Sequence, residues 1–358
     1  MVVFSPTWYE LRMDKLKIRF SQKDVVLLFA LILLVSVFVF YPSGLFIQDK
    51  GLSPQGQEFK ILFVGDVMFG RHVETLMESN GPDYPFQKIK EFLKGYNFVV
   101  ANLEGAITKD HAKSPDQSFK FSFPPESGRV LRDNNITLLS IANNHALDYG
   151  DRGFTETKKY LAESGINYFG HPVGSPRNYV FQKKFGERNV IFLGFNSTYP
   201  SFHIEEAEKL VKSFTLDEES FVIVYMHWGD EYKKLSNSSQ RAITHSLIDS
   251  GADLVLGSHP HVVQEIESYK DKLIFYSLGN FVFDQYFSKD TQEGLAVELI
   301  FRDKKETYKI YPIESIKSQP DLMEEKLAEE FLSDLAMRSS PELREGIKAG
   351  IISINDNK

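Results

Sequence analysis

The sequence predicts an α/β fold, and three observations carry that prediction. Short apolar runs rich in Val, Ile and Phe recur from residue 59 onward, each stopping at Gly, Asn or His. Helix-like stretches lie between several of them. Nothing in the chain repeats internally, so the alternation is that of one α/β domain rather than an array.

The runs, in order, are FKILFVG (59–65), NFVVANLEG (97–105), ITLLSIANN (136–144), NVIFLGFN (189–196), FVIVYMHW (221–228), ADLVLGSH (252–259) and KLIFYSLGN (272–280). Continuous apolarity of this length reads as strands buried on both faces. Residues 151–164 set Phe154, Tyr160 and Leu161 among charges, and residues 236–250 set Ala242, Ile243, Leu247 and Ile248 at helical spacing. LAVELIFRDKKETYKIYPIESI (295–316) reads as an antiparallel hairpin turning at DKKE. Leu327, Phe331 and Leu335 repeat every fourth residue, which predicts a last helix over 323–336. The tail after Ser339 carries little pattern.

Composition narrows the function classes. The 358 residues are 42% hydrophobic and 25% charged, as in globular proteins, and the net charge of −8 argues against nucleic acid as a partner. The chain has no cysteine. Disulfides, thiolate metal sites, cysteine nucleophiles and a lipid-modified N-terminal cysteine are therefore excluded.

The N-terminal region predicts a membrane anchor. VVLLFALILLVSVFVFY (25–41) is uncharged, and at about 1.5 Å per residue it spans roughly 25 Å. Residues 42–47 extend it. Arg12, Lys15, Lys17, Arg19 and Lys23 precede it, whereas Lys50 is the first basic residue after it. That asymmetry predicts a cytoplasmic N-terminus and a single pass, with the main domain extracytoplasmic. A cleaved signal peptide is the rival reading, but no A-x-A-like site precedes Gly51. The expected organisation is a cytoplasmic segment (1–24), a signal anchor (25–47), a polar linker (48–57), a folded domain (58–320) and a C-terminal helical segment (321–358).

The strand ends carry the chemistry. Asp66 follows FVG, Glu104 follows VVANL, Asn143, Asn144 and His145 follow LLSIA, His227 follows IVYM, and His259 and His261 follow LVLGS. In α/β sheets ligands gather at the carboxyl ends of strands. Taken singly, each residue has an ordinary role: a cap, a turn or a solvated side chain. Together, carboxylate, amide oxygen and imidazole form a hard donor set suited to Mn, Zn, Fe or Mg-class ions. In His259-Pro260-His261 the proline fixes the backbone and spacing by two puts both rings near one face.

GDVMFGR (65–71), NLEGAIT (102–108), ANNHALDYG (142–150), HWGDEY (227–232), GSHPHVVQ (257–264) and SLGNFVFDQ (277–285) together resemble the CapA/PgsA capsule-biosynthesis family, whose members are linked to poly-γ-glutamate synthesis. That family belongs to the calcineurin-like metallophosphoesterase superfamily. The resemblance covers about residues 58–300 and implies a metallophosphoesterase-like four-layer α/β/β/α sandwich, preceded here by one transmembrane helix. It implies a centre of one or two divalent metal ions held by Asp66, Glu104, Asn144, His227, His259 and His261. It further implies that His145 contacts the leaving group as a catalytic residue. Two departures stand out. Met68 occupies the place of a ligand histidine, and a thioether binds hard ions poorly. Glu104, one methylene longer, replaces the bridging aspartate.

Other residues extend the expected site. Arg71, Lys120 and Glu231 are expected to meet the substrate, Arg71 as an anion binder or else as a surface cap, Lys120 toward a carboxylate polymer and Glu231 at the pocket. Trp228 suits core packing, and Asn280 and Asp284 suit either orientation of the histidines or turn chemistry. His72, His111, His171, His203 and His245 read as structural or solvated. The resemblance implies a membrane-anchored component of capsule or poly-γ-glutamate synthesis and export, acting beside membrane-embedded synthase subunits on an anionic polymer. The alternatives are a surface metal-dependent phosphoesterase and a scaffold with a vestigial metal site.

Overall fold

Strands form where the apolar runs stand, because alternate side chains of each run can bury on opposite faces of a sheet. The computed structural model describes residues 9–13, 16–20, 58–115, 118–174, 179–185, 188–217, 219–302 and 305–353. Residues 1–52 make a unit of their own, in which β1 (Tyr9–Met13) pairs antiparallel with β2 (Leu16–Phe20), Leu11 opposite Ile18. The anchor expected over 25–47 lies outside the described residues. Among the described residues no helix is long and apolar enough to cross a membrane.

The second unit, residues 53–358, holds two sheets. In the larger, β3 (Phe59–Val67), β4 (Phe98–Leu103), β7 (Leu138–Ser140) and β8 (Asn167–Phe169) run parallel. Short β5 (Ala106–Ile107) and β6 (Ser122–Phe123) pair with each other outside it. In the smaller sheet β10 (Arg188–Asn196), β11 (Ser220–His227), β12 (Leu254–Ser258) and β14 (Lys272–Phe275) run parallel. Two antiparallel strands edge it, β9 (Phe181–Phe185) on β10 and β13 (Ile266–Tyr269) on β14. The hairpin expected over 295–316 is present as β16 (Glu293–Arg302) and β17 (Lys305–Ile316), with Arg302 opposite Lys305, and β16 pairs antiparallel with β3.

The burial pattern shows how the layers stack. Ile61, Phe63, Val100 and Leu138 face Phe192, Ile223, Tyr225 and Leu256 in a core between the sheets. Leu62, Val64, Val99 and Leu139 face the other way and pack with Val73, Leu131, Phe154 and Leu161. Those four come from helices α1 (Arg71–Asn80), α3 (Ser127–Asp133) and α4 (Gly150–Glu163); the single-turn α2 (Lys90–Leu93) adds Leu93. On the smaller sheet Ile191, Val222 and Val255 pack with Ala207 and Val211 of α5 (Ile204–Lys212) and with Leu247 and Ile248 of α6 (Ser238–Asp249). Each sheet is thus covered outside by helices and inside by the other sheet. Each fully buried Leu, Ile or Phe contributes about 1.5–3 kcal/mol. Helix α6 starts with a capping box, Asn237 Oδ1 accepting from Gln240 N (2.9 Å) and Gln240 Oε1 accepting from Asn237 N (3.0 Å), worth about 1 kcal/mol. The final helix runs Glu325–Arg338, and Phe331, Leu332 and Leu335 join the core between the sheets.

One run departs from its expectation. KLIFYSLGN is not a single strand. Its first part is β14, and its end begins β15 (Asn280–Val282), which pairs with β3 in the other sheet, Asn280 opposite Asp66. Gly279, at φ +68°, makes the change of direction. The crossing segment passes very close to both sheets. A Cβ at Gly65 would sit 1.8 Å from the Gly279 carbonyl oxygen, and one at Gly257 would sit 2.0 Å from that of Tyr276. Hydrogen bonds from Asp66 N to Gly279 O (3.1 Å) and from Leu278 N to Gly257 O (3.0 Å) fasten it to both. This crossing draws the carboxyl ends of β3 and β12 together.

Candidate metal centre

The strand ends converge as the residue types suggested. Asp66 is held near the end of β3, Glu104 follows β4, Asn144 and His145 follow β7, His227 ends β11, and His259 and His261 follow β12. Register sets the neighbours: Asp66 lies opposite Asn102 on one side and Asn280 on the other, and His227 lies opposite Ser258.

Hydrogen bonds fix most of the donors. Asn102 Nδ2 donates to Asp66 Oδ1 (2.8 Å), and Asn143 Nδ2 donates to Asn102 Oδ1 (3.0 Å). The backbone N–H of His259 reaches Asp66 Oδ2 at 3.3 Å. His227 is gripped at both ring nitrogens, Nε2 lying 2.7 Å from Asn144 Oδ1 and Nδ1 lying 2.9 Å from Ser258 Oγ. His261 Nδ1 lies 2.9 Å from Asn280 Oδ1 and 3.4 Å from Asp66 Oδ2, while its Nε2 lies 3.7 Å from Glu104 Oε1. His145 Nδ1 lies 2.8 Å from Asp148 Oδ2, its Nε2 lies 3.8 Å from Glu104 Oε1, and its ring stacks on Phe121 at 4.1 Å.

Two groups of donors emerge. Asp66, Glu104 and His227 bring one ligand atom each within 4.8 Å of one another, and so do Glu231, His259 and His261. His261 also faces Asp66 and Glu104, so it stands between the two groups.

The residues fit divalent cations. Glu104 is fully buried, yet neither carboxylate oxygen has a hydrogen-bond donor, and the buried Nδ1 of His259 also lacks a partner. Buried polar atoms are normally satisfied, and an orphaned carboxylate beside imidazoles is what a cation would complete. The electrostatics agree. Burial, with Asp66 beside it, raises Glu104 to about 7. Burial also holds His227 well below the usual imidazole range and brings His259 down to about 4. Burial pushes His261 down too, but Glu104 and Asp66 outweigh it and lift it to about 9. His227 and His259 therefore stand neutral, as ligands must be, and of the two only His259 keeps a ring nitrogen without a partner.

The backbone is strained here. Arg71 (φ 54°), Tyr232 (63°), His259 (94°) and His261 (57°) all adopt positive φ without being glycine. Such conformations cost about 1–3 kcal/mol each and gather at functional sites.

Several expectations need correction or detail. Arg71 lies at the border of the site. Its guanidinium is ion-paired with Asp284 and lies over Phe121 (4.9 Å) and Phe283 (5.4 Å), the rings that border His145 and His261. Asp284 serves Arg71 and the backbone N–H of His72 (3.1 Å), whereas Asn280 contacts the ring of His261. Lys120 is exposed, next in the chain to Phe121. Glu231 is exposed on the loop after β11. Trp228 is core, its Nε1 donating to Tyr276 O at 2.8 Å. Met68 is buried in the apolar cluster containing Phe121 and Phe283, and its sulfur accepts the Gly70 N–H at 2.9 Å. His111 bridges Ser122 and Glu74, and His245 stacks on Tyr269. Sequence reasoning missed Asn102, Asp148 and Ser258. Each lies within three residues of a chosen residue, but which way it faces is set by strand register for Asn102 and Ser258 and by the fold of the loop after β7 for Asp148.

Comparison with known proteins follows the same residues. The family model described as bacterial capsule synthesis protein PGA_cap matches residues 60–285. The chain is 32% identical over 270 residues to the capsule biosynthesis protein CapA of Bacillus anthracis, a match covering 70% of this chain and 65% of that protein, a little under two thirds of its length. It is 30% identical over 304 residues to the PGA biosynthesis protein CapA of Bacillus subtilis, covering 81% of this chain and 80% of that one. A solved structure described as a novel phosphatase of Mycoplasma pneumoniae aligns with a TM-score of 0.43 and 10% identity over 74% of this chain and 92% of that chain, too loosely to bear on chemistry. The extent of the family match and the relatedness to the B. subtilis protein place the chain: it belongs to the bacterial capsule synthesis protein PGA_cap family.

Proposed function

We propose that the chain is a membrane-anchored, extracytoplasmic component of capsule or poly-γ-glutamate synthesis and export, whose strand-end site holds divalent cations and through them engages the anionic polymer. The observation that carries this reading is Glu104, buried with both oxygens unpartnered among the donors Asp66, His227 and His261. The names of the Bacillus relatives support the polymer class. The anchor is residues 25–47, with the N-terminus cytoplasmic, and the partners are membrane-embedded synthase subunits.

In this reading Asp66, Glu104, Asn144, His227, His259 and His261 hold one or two ions of the Mn, Zn, Fe or Mg class. A divalent cation supplies Lewis-acid polarisation of a phosphoryl or carbonyl oxygen. The remaining chemistry belongs to the chain. Asp148 accepts the Nδ1–H of His145, which turns Nε2 toward Glu104. Nε2 is then placed to give its proton to a departing oxygen or nitrogen, as a general acid does. Phe121 stacked on the ring limits its rotation. Exposed Lys120 supplies positive charge for polymer carboxylates at the rim.

The test is polymer production in cells that carry His227→Ala as their sole copy. Loss of polymer, with the chain still present in the membrane fraction, supports the reading. Undiminished polymer contradicts it and leaves a scaffold. A surface phosphoesterase is the second reading, favoured by the His145–Asp148 arrangement. It expects Met68→His to increase metal retention and phosphoester turnover.

A further inference from the structure

The geometry points to Glu231 as a metal ligand: with His259 and His261 it forms a cation site of its own, open to solvent, beside the buried one formed by Asp66, Glu104 and His227. This rests on the reading that the strand-end site holds divalent cations.

Five features of the chain converge on it. The ligand atoms of Glu231, His259 and His261 lie within 4.8 Å of one another. The loop that carries Glu231 is fastened to the histidine segment, because Tyr232 N–H donates to the carbonyl of Pro260 at 2.8 Å. The residues on both sides of that bond, Tyr232, His259 and His261, are held at φ of 63°, 94° and 57°. Relaxed turns would satisfy the same backbone hydrogen bond with glycine or asparagine at these positions. Keeping large side chains there makes sense if their placement matters. The Tyr232 ring lies along that of His261, 6.1 Å away at 29°, and limits its movement. His259 Nδ1, buried without a partner, leaves one imidazole nitrogen of the group free.

The two groups differ in access. Asp66, Glu104 and His227 are buried, whereas Glu231 is exposed. A cavity of about 320 Å³, walled by Ser197, Thr198, Asn237, Ser239 and Gln240, opens beside His259. An ion held by two buried imidazoles and one surface carboxylate has a ligand that an incoming carboxylate or phosphate oxygen of the substrate can displace. The Glu231 ion is the exchangeable one, and the Asp66–Glu104–His227 ion is the fixed one.

The test compares full-length wild type, Glu231→Gln and Glu231→Asp, each loaded with Mn²⁺ or Co²⁺ and read by metal count, by calorimetric affinity and by the Co²⁺ ligand-field spectrum. Glu231 is exposed, so neither substitution disturbs the core. The expected result is that Glu231→Gln loses one bound equivalent relative to wild type, its affinity weakened at least about tenfold, with a changed Co²⁺ spectrum, and that Glu231→Asp recovers part of it. Wild-type metal binding that is unchanged in Glu231→Gln overturns the inference and leaves the buried site standing. A wild-type chain that binds no ion overturns the inference and the metal reading together.

Discussion

Asp148 Oδ2 lies 2.8 Å from Nδ1 of His145 and also accepts the Phe121 N–H at 2.7 Å. One carboxylate thus sets both the imidazole and the ring stacked on it. Asp148→Asn is expected to release His145 from its Nδ1–H form. Nitrogen NMR of the ring reads the tautomer directly. Any hydrolytic turnover the wild type shows falls about 10²–10⁴-fold, with metal content unchanged. Loss of metal instead would make Asp148 a structural support of the centre.

Asn280 is buried and ties His261 to the crossing strand, its Oδ1 2.9 Å from Nδ1 while its Nδ2 donates to Gln285 Oε1 and Thr291 O. Asn280→Ala removes the group that orients a ligand without removing the ligand. Metal affinity is expected to fall about 10–100-fold, measured by calorimetry. Unchanged affinity would show that packing alone holds the ring.

Gly65 has no room for a methyl group, since its Cβ would lie 1.8 Å from a backbone oxygen of the crossing segment. Gly65→Ala is expected to destabilise the domain by about 3 kcal/mol or more and to loosen the centre with it. Urea unfolding followed by fluorescence measures the first effect. A midpoint within experimental error of wild type would mean that the crossing is not tightly fastened.

Much of this was legible in the sequence. The apolar runs became strands because runs buried on both faces need no helical periodicity to be recognised. The strand-end residues were found because parallel sheets gather function at one edge. What stayed hidden depended on the third dimension. KLIFYSLGN reads as one strand, but Gly279 divides it between two sheets, and a run of apolar residues cannot show that its ends serve different sheets. The edge strand Phe181–Phe185 was missed because three of its five residues are exposed, so its polar sequence lacks the apolar signal. Helix α1 was missed for a similar reason, with only Arg71 and Val73 buried. The Arg71–Asp284 pair stayed hidden because the two residues lie 213 apart in the chain.

The anchor reading predicts that the chain resists alkaline extraction from membranes and that deletion of residues 1–47 releases it. Protease added to cells stripped of their wall is expected to digest residues beyond 57 and spare the N-terminus. Digestion of the N-terminus alone would reverse the orientation.

The central claim is that the strand-end donors hold divalent metal, and counting it is the most direct test. The full-length chain, purified without chelator, is analysed by plasma mass spectrometry before and after soaking in Mn²⁺ or Zn²⁺. The account predicts about two equivalents per chain, reduced when Glu104→Gln or His259→Ala removes a donor. No bound ion in the soaked wild type would contradict it, and Glu104 would then be a buried carboxyl kept neutral within a polymer-binding scaffold.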